Sequence, residues 1–267
     1  MGFQSNRPLL AFGTGLPVAL LGGLIGLGGA EFRLPILVAL FAFGAKTAVP
    51  LNLAVSLITV AAAFLTRLRV TPIESLLPFL PDILTITAAS MAGAWMGAAW
   101  LHQTRERVLE RTIQVLLVLI ALLLFYESYY PFSSGRLVEG IAANMLLGIL
   151  FGAGIGIVSA LLGVAGGEMI IPTLILVFGV EVKLAGTAAL LISIPTILVG
   201  IIRYARQGYY RDPIPIRQVV IPMGIGSILG AFTGGMLVAY VSGTWLKRIL
   251  GLVLFASASK MFGGKKK

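Results

Sequence analysis

Two short stretches combine glycines, one acidic residue and a proline within otherwise apolar sequence. They run over residues 26–35 and 163–172. Glycine and proline break helices and leave backbone amide and carbonyl groups without intrahelical partners. Within a membrane such groups are tolerated only where they are buried in protein or line a wet cavity. We therefore interpret the stretches as two helix breaks at a functional site.

The acidic residues of these stretches, Glu31 and Glu168, lie between apolar elements. A carboxylate at membrane depth is costly and indicates function. Two roles are open: a proton carrier, or a structural acceptor for the unpaired amides of the break. Free amides at the start of a following helix also suit an oxyanion. The predicted binding glycines are Gly28, Gly29, Gly166 and Gly167.

Three further side chains are candidate substrate contacts: Arg33, Asn52 and Thr187. Arg33 could pair with Glu31, could bind an oxyanion through its planar donors, or could extend to the membrane surface. Asn52 shares one helical face with Ser56 and Thr59. Hydroxyl groups bonded to their own helix would explain the serines and threonines simply, whereas an asparagine in an apolar span indicates a specific role.

The sequence indicates no metal-binding, catalytic or nucleotide-binding chemistry. His102 falls in a charged loop, and Lys46 and Lys183 are expected at helix starts. Metal-ligand spacing, a nucleophile with its base, and a phosphate-binding loop are all missing from the sequence. We therefore expect no cofactor, no metal and no enzyme activity.

The elements that must position these residues are membrane-spanning helices. Of the 267 residues, 58% are hydrophobic and 11% charged, and the mean hydropathy is +1.01. Windows without any charged residue are long enough to hold spans of about 20 residues; they cover residues 8–30, 47–66, 83–101, 140–167, 184–202 and 218–246. The net charge of +10 lies in short loops and the C-terminal lysines, as positive-inside topology predicts, so we expect no nucleic acid partner.

The sequence repeats itself at a constant offset. Glu168 lies 137 positions after Glu31, and the same offset relates Lys46 to Lys183 and Arg69 to Arg206. Chance matches of apolar residues are common in such a chain, but matches of charged residues are not. We predict a first membrane repeat over residues 1–130 and a second over 131–267, with a linker at about 127–139, forming one integral membrane domain.

The predicted fold is an all-α polytopic membrane protein with two tandem repeats of five helical elements. The elements lie at about 9–28, 34–44, 47–66, 80–101 and 107–126, and at about 144–165, 170–180, 184–202, 217–240 and 244–262. The second element of each repeat is too short to cross unaided. If it crosses, the repeats are inverted; if it dips in and returns, they are parallel. We favour the inverted arrangement, which is frequent in transporters with a site at mid-membrane. The fourth element carries small residues four apart, which indicates close helix packing.

At these motifs the chain resembles the TauE/SafE sulfite exporter family, also called the toluene sulfonate uptake permeases. The resemblance covers nearly the whole chain and includes both glycine clusters ahead of a proline and the Ala185-Gly186-Thr187 segment. The chain has Ala30 and Ala165 where the family usually has glycine, and Val49-Pro50 where it often has Gly-Thr. The resemblance implies a bacterial or archaeal inner membrane and the export or uptake of sulfite, thiosulfate or sulfonates.

The leading functional hypothesis is a secondary transporter for a small sulfur-containing oxyanion, proton-coupled through Glu31 or Glu168. The alternatives are an anion channel and a membrane accessory subunit without transport of its own. The expected partners are the small anion and the lipid bilayer. The direction of transport and the oligomeric state, with a homo-oligomer as one option, are left open.

Overall fold

The helices of this protein follow the apolar segments of its sequence. The computed structural model describes residues 7–101 and 140–246, together with positions 115, 118, 119, 122, 126, 137, 138, 248, 249 and 252. Regular structure in the described residues is helical throughout. The helices are α1 (Arg7–Ile25), α2 (Ala30–Ala39), α3 (Ala45–Arg67), α4 (Leu80–Trp100), α5 (Ile141–Leu162), α6 (Gly167–Leu176), α7 (Val182–Arg206) and α8 (Ile221–Leu237).

Six helical segments of the described chain are long and apolar enough to cross a membrane. They comprise α1, α3, α5 and α7, together with α4 and α8 extended at their N-terminal ends. A 3₁₀ helix, Ile73–Phe79, leads into α4, and the turns Pro213–Pro215 and Ile216–Val220 lead into α8. Large apolar side chains such as Leu146, Leu150 and Leu229 are exposed, as expected of a surface that faces lipid. The chain is therefore a multi-pass α-helical membrane protein.

The short second elements, α2 and α6, are ten residues long and begin earlier than predicted. The sequence placed their starts near residues 34 and 170, whereas the helices begin directly after the glycines, at Ala30 and Gly167. The prolines therefore lie inside these helices. The predicted fifth elements lie mostly outside the described residues, and the predicted linker lies almost wholly outside them. His102 and the three C-terminal lysines lie entirely outside them.

Helices of one half pack closely against helices of the other. A Cβ atom added to Gly97 would collide with the backbone of Ile157 on α5, and one added to Gly234 would collide with that of Leu20 on α1. Contacts continue in register along both pairs, so α1 runs parallel to α8 and α4 parallel to α5. The small residues of the fourth elements therefore serve the close packing that the sequence predicts.

The central helices α3 and α7 run antiparallel. At one end Tyr210, just after α7, donates a hydrogen bond of 2.9 Å to the carbonyl oxygen of Pro50 near the start of α3. Burial raises the pKa of Tyr210, which keeps the phenol protonated as a donor. At the other end Arg67, the last residue of α3, reaches the carbonyl oxygen of Lys183 in the first turn of α7. Opposed third elements are what an inverted repeat requires; the repeat itself stays a prediction.

Candidate functional site

The two helix breaks predicted from sequence are present, and each is followed by a short helix. Gly29 precedes α2 with φ 71° and ψ 18°, and Gly166 precedes α6 with φ 80° and ψ −3°. These left-handed angles are strained for residues with a Cβ atom, which explains glycine at both positions. Neither helix start is capped by a side chain of its N-cap residue. The first amides of α2 and α6 therefore provide partial positive charge.

The breaks meet in the interior of the protein. A Cβ atom on Gly167 would lie 3.0 Å from the carbonyl oxygen of Gly26, and one on Gly28 would lie 3.3 Å from the Cβ atom of Ala165. Gly28 and Gly167 thus bring irregular backbone from both halves into contact. This location agrees with the rule that non-helical backbone at membrane depth is buried in protein.

Both glutamates lie in the first turn of the helix that follows their break and are buried. Neither carboxylate oxygen of Glu31 has a hydrogen-bond partner, and one oxygen of Glu168 has none. The two carboxyl groups interact electrostatically with each other, and Glu31 also interacts with Arg33. The structure therefore brings the two acidic residues together, each at the positive end of a helix.

Arg33 is fully buried, which excludes one of the three alternatives left open for it, extension to the membrane surface. Its Nη1 donates to Ser56 Oγ at 3.1 Å, and its Nη2 donates to Thr59 Oγ1 and to the Gly28 carbonyl oxygen, both at 2.9 Å. The two hydroxyls donate in turn to carbonyl oxygens of their own helix, which leaves their lone pairs for the guanidinium. Arg33 is held at the break, and its Nε lacks a partner.

Asn52 connects the two breaks. Its fully buried side chain donates from Nδ2 to the carbonyl oxygen of Ala30 at 2.8 Å and to that of Gly163 at 2.9 Å. Ala30 begins α2 and Gly163 directly follows α5, so one amide satisfies a carbonyl in each half. The Oδ1 of Asn52 has no partner.

Thr187 is not brought to the carboxyl groups by any contact that the structure shows. Its hydroxyl donates to the carbonyl oxygen of Lys183, four residues earlier in the same helix, at 3.1 Å. The simple explanation from sequence, a hydroxyl bonded to its own helix, therefore applies to this residue. Lys46 and Lys183 lie in the first turns of α3 and α7, as predicted.

The second half lacks the arginine and arranges its hydroxyls differently. Ile170 occupies the position that corresponds to Arg33. Thr196 shares a hydrogen bond of 2.6 Å with Ser90 on α4, and the buried hydroxyl of Ser193 has no partner. The site is thus polar in both halves but cationic in only one.

Sequence reasoning missed Arg67 and Tyr204, which stabilise the ends of the broken helices. Arg67 is fully buried and donates to the carbonyl oxygen of Ile25, the last residue of α1, at 3.3 Å. Tyr204 donates to the carbonyl oxygen of Ala160 near the end of α5 at 2.7 Å. The two residues are 137 positions apart, so the repeat offset carried a signal. The chemical difference between arginine and tyrosine hides this correspondence in the sequence.

The family model described as Sulfite exporter TauE/SafE matches residues 11–265. No curated protein and no solved structure matches the chain.

Proposed function

The chain belongs to the TauE/SafE sulfite exporter family, and we propose that it is a proton-coupled secondary transporter for a small sulfur-containing oxyanion. Sulfite, thiosulfate and organosulfonates are the candidate substrates, exported or imported across a bacterial or archaeal inner membrane. The observation that carries the proposal is a buried guanidinium beside two buried carboxyl groups at paired helix breaks.

The donors at the site suit an oxyanion. Arg33 has an unpartnered Nε, and the first amides of α2 and α6 lie at the positive ends of those helices. Planar guanidinium donors and backbone amides bind compact oxyanions through charge-assisted hydrogen bonds. The proposed substrate-binding role of Gly28, Gly29, Gly166 and Gly167 rests on this placement. Asn52 supports the site indirectly, because its amide nitrogen already donates to the carbonyl oxygens of Ala30 and Gly163 and so holds the two breaks together. Thr187 is the one proposed contact whose hydroxyl is bonded to its own helix rather than placed at a break.

The carboxyl groups supply a means of coupling. While Glu31 is ionised it neutralises Arg33 and repels an incoming anion. Protonation of Glu31 or Glu168 removes one negative charge from the site. The negative charge of an oxyanion can then replace it beside the Arg33 guanidinium. A buried charge without compensation is costly, which ties anion binding to proton uptake.

The test is radiolabelled sulfite flux in proteoliposomes, with sulfate, thiosulfate, taurine and a carboxylate as competitors. The variants Glu31→Gln and Glu168→Gln keep shape and hydrogen bonding but cannot titrate. We expect either variant to retain sulfite exchange while losing accumulation driven by a pH gradient. Glu74→Gln, at an exposed position of the 3₁₀ helix, should behave as wild type.

Two outcomes would contradict the proposal. An unchanged response to the pH gradient in both glutamine variants would leave the carboxyl groups a structural role. Sulfite flux in the wild-type protein that follows the anion gradient alone would indicate a channel.

A further inference from the structure

Two arginines in the last turn of α7 converge on one tryptophan of α4. The Cζ atom of Arg203 lies 4.5 Å and that of Arg206 5.3 Å from the centroid of the Trp95 ring. Both distances are short enough for cation–π attraction. Gln207, the residue after α7, fixes this end of the helix to α4 by donating to the carbonyl oxygen of Ala98 at 3.2 Å. Two positive charges are thus held close together at the ends of two apolar spans.

These two charges lack a negative partner. Residues three apart on a helix are neighbours, so Arg203 and Arg206 repel one another. Neither forms an ion pair with or donates a hydrogen bond to another described residue, whereas Arg33 and Arg67 both donate to carbonyl oxygens. The dipole of α7 favours a cation in its last turn, but it does not explain two guanidinium groups over the same ring. Arg206 is exposed, so an anion can reach it and relieve the repulsion.

The surface around the two arginines is basic as well. The end of α7 lies beside the start of α3, as the bond between Tyr210 and Pro50 shows. Exposed basic residues at this end are Lys46, Arg211 and Arg217. The acidic residue between α7 and α8 is Asp212, whose carboxylate already accepts a hydrogen bond from the backbone amide of Ile214. Such a surface attracts anions.

The surface that leads up to Arg206 is apolar. Leu198, Ile202 and Arg206 are spaced four residues apart, so they share one face of α7. Both apolar side chains are exposed, as is Met96 next to Trp95 on α4. A phospholipid presents matching groups in the same order, with apolar chains followed by a charged phosphate. A soluble anion would match only the cationic end of this surface.

We propose that Trp95, Arg203 and Arg206 bind the phosphodiester headgroup of an anionic phospholipid, whose acyl chain lies along Leu198 and Ile202. Tryptophan is enriched at membrane–water interfaces, and basic residues at the ends of spans bind anionic headgroups. The site lies apart from the helix breaks, so the inference goes beyond the proposed function and does not depend on it.

The other half of the chain does not repeat this cluster. The repeat offset places its three residues in register with Thr66, Arg69 and Phe232. Thr66 is bonded to its own helix, through the carbonyl oxygen of Ala62. Arg69 is therefore an exposed arginine at a corresponding helix end without a second cation in the register of Arg203, and it serves as a matched control.

The first experiment titrates the delipidated full-length chain in a neutral detergent with phosphatidylglycerol and measures bound lipid by native mass spectrometry. Phosphatidylcholine with the same acyl chains is the comparison without net charge, and inorganic phosphate is the soluble anion. We expect phosphatidylglycerol to bind roughly 10- to 30-fold more tightly than phosphatidylcholine, because two cations favour an anionic headgroup. Phosphate in excess over the lipid should not displace it. Equal binding of the two lipids, or displacement of phosphatidylglycerol by phosphate, would overturn the proposal.

The second experiment repeats the titration with variants. Arg203→Gln combined with Arg206→Gln should abolish the preference for phosphatidylglycerol, and Arg69→Gln should preserve it. Trp95→Leu should weaken the preference more than Trp95→Phe, which keeps an aromatic face for the cations. An unchanged preference in the double variant would overturn the proposal, and so would an equal loss in Arg69→Gln, since it would indicate general surface charge.

The wild-type titration decides the question even if the double variant is unstable. Neither experiment measures transport, so a failure here leaves the proposed function untouched, and the reverse also holds.

Discussion

Arg33 is held in a setting where a cation is normally unstable. It is fully buried, yet two hydroxyls and a carbonyl oxygen accept its hydrogen bonds, and Glu31 provides a nearby negative charge. Removing one partner from such a buried pair leaves an uncompensated charge, which typically costs about 3–5 kcal/mol. The arginine and the carboxyl groups therefore depend on one another, so a change of charge on one alters the binding properties of the other.

Replacing Arg33 tests whether it contacts the substrate. Hydrogen bonds to charged groups contribute about 1.5–3 kcal/mol, so Arg33→Gln should weaken the apparent affinity for sulfite by about 10- to 150-fold. Flux should be measured at two ionic strengths, because a buried contact largely persists in salt whereas long-range steering is screened. Arg211→Gln, at an exposed loop position, is the control. Unaltered affinity at both strengths would remove Arg33 from the binding site.

Sequence reasoning at the residue scale located much of the candidate site. The repeated glycine clusters indicated the breaks, and the glutamates were conspicuous because charged residues are rare in apolar segments. The sequence alone could not predict the hydrogen-bond partners, because these depend on how distant segments pack. Asn52 illustrates this limit: its polarity marked it as unusual, but its bond to Gly163, 111 positions away, required the fold. Arg67 is a second case, because a basic residue at a helix end is common and nothing in the sequence marks this one as buried.

At the scale of the helical elements, both helix breaks depend on a glycine, but Gly29 and Gly166 have different neighbours. A Cβ atom on Gly29 would lie 2.7 Å from the backbone oxygen of Val18, whereas one on Gly166 would first meet a methyl group of Ile155 at 3.2 Å. Backbone cannot move aside as easily as the end of a side chain. Gly29 therefore tolerates less change than its counterpart.

Alanine substitutions should separate the cost of the left-handed backbone from the cost of a collision with neighbouring backbone. Both Gly29→Ala and Gly166→Ala incur the left-handed penalty of about 1–2 kcal/mol, but only Gly29→Ala adds a collision with backbone. We expect Gly29→Ala to lower the melting temperature in detergent clearly more than Gly166→Ala. Gly44→Ala should have little effect, because Gly44 has φ −60° and open space around it. Equal losses at positions 29 and 166 would show that the close contact to Val18 relaxes freely.

The close packing between the long helices leads to a second prediction at the scale of the helical elements. Gly93 on α4 faces the backbone of α5 so closely that no side chain fits, whereas Gly154 on α5 has open space around it. Gly93→Val should therefore sharply reduce the yield of monodisperse protein in size-exclusion chromatography. The matched change Gly154→Val should be tolerated, because it adds a side chain where space is available. Normal yield from Gly93→Val would mean that α4 and α5 can separate without loss of the fold.

At the scale of the whole molecule, the opposed directions of α3 and α7 predict opposite orientations for the two halves. Glu74 follows α3 and Arg211 follows α7, and both are exposed at positions 137 apart. The chain contains no cysteine, so single cysteines can be introduced without background. In right-side-out membrane vesicles, a membrane-impermeant maleimide should label only one of Glu74→Cys and Arg211→Cys, and permeabilisation should expose the other. Labelling of both in intact vesicles would indicate parallel halves.

Because α1 and α4 each pack against a helix of the other half, the fold also sets an order of events during synthesis. The main neighbour of α1 is α8, which leaves the ribosome about 200 residues later, whereas α5 follows its partner α4 after a short interval. At about 5–20 residues per second, α1 waits roughly 10–40 s for α8 to be made. During that interval its small-residue face has only lipid or an insertion factor to contact. Helix α1 therefore enters the membrane well before its main neighbour exists and reaches its final place late.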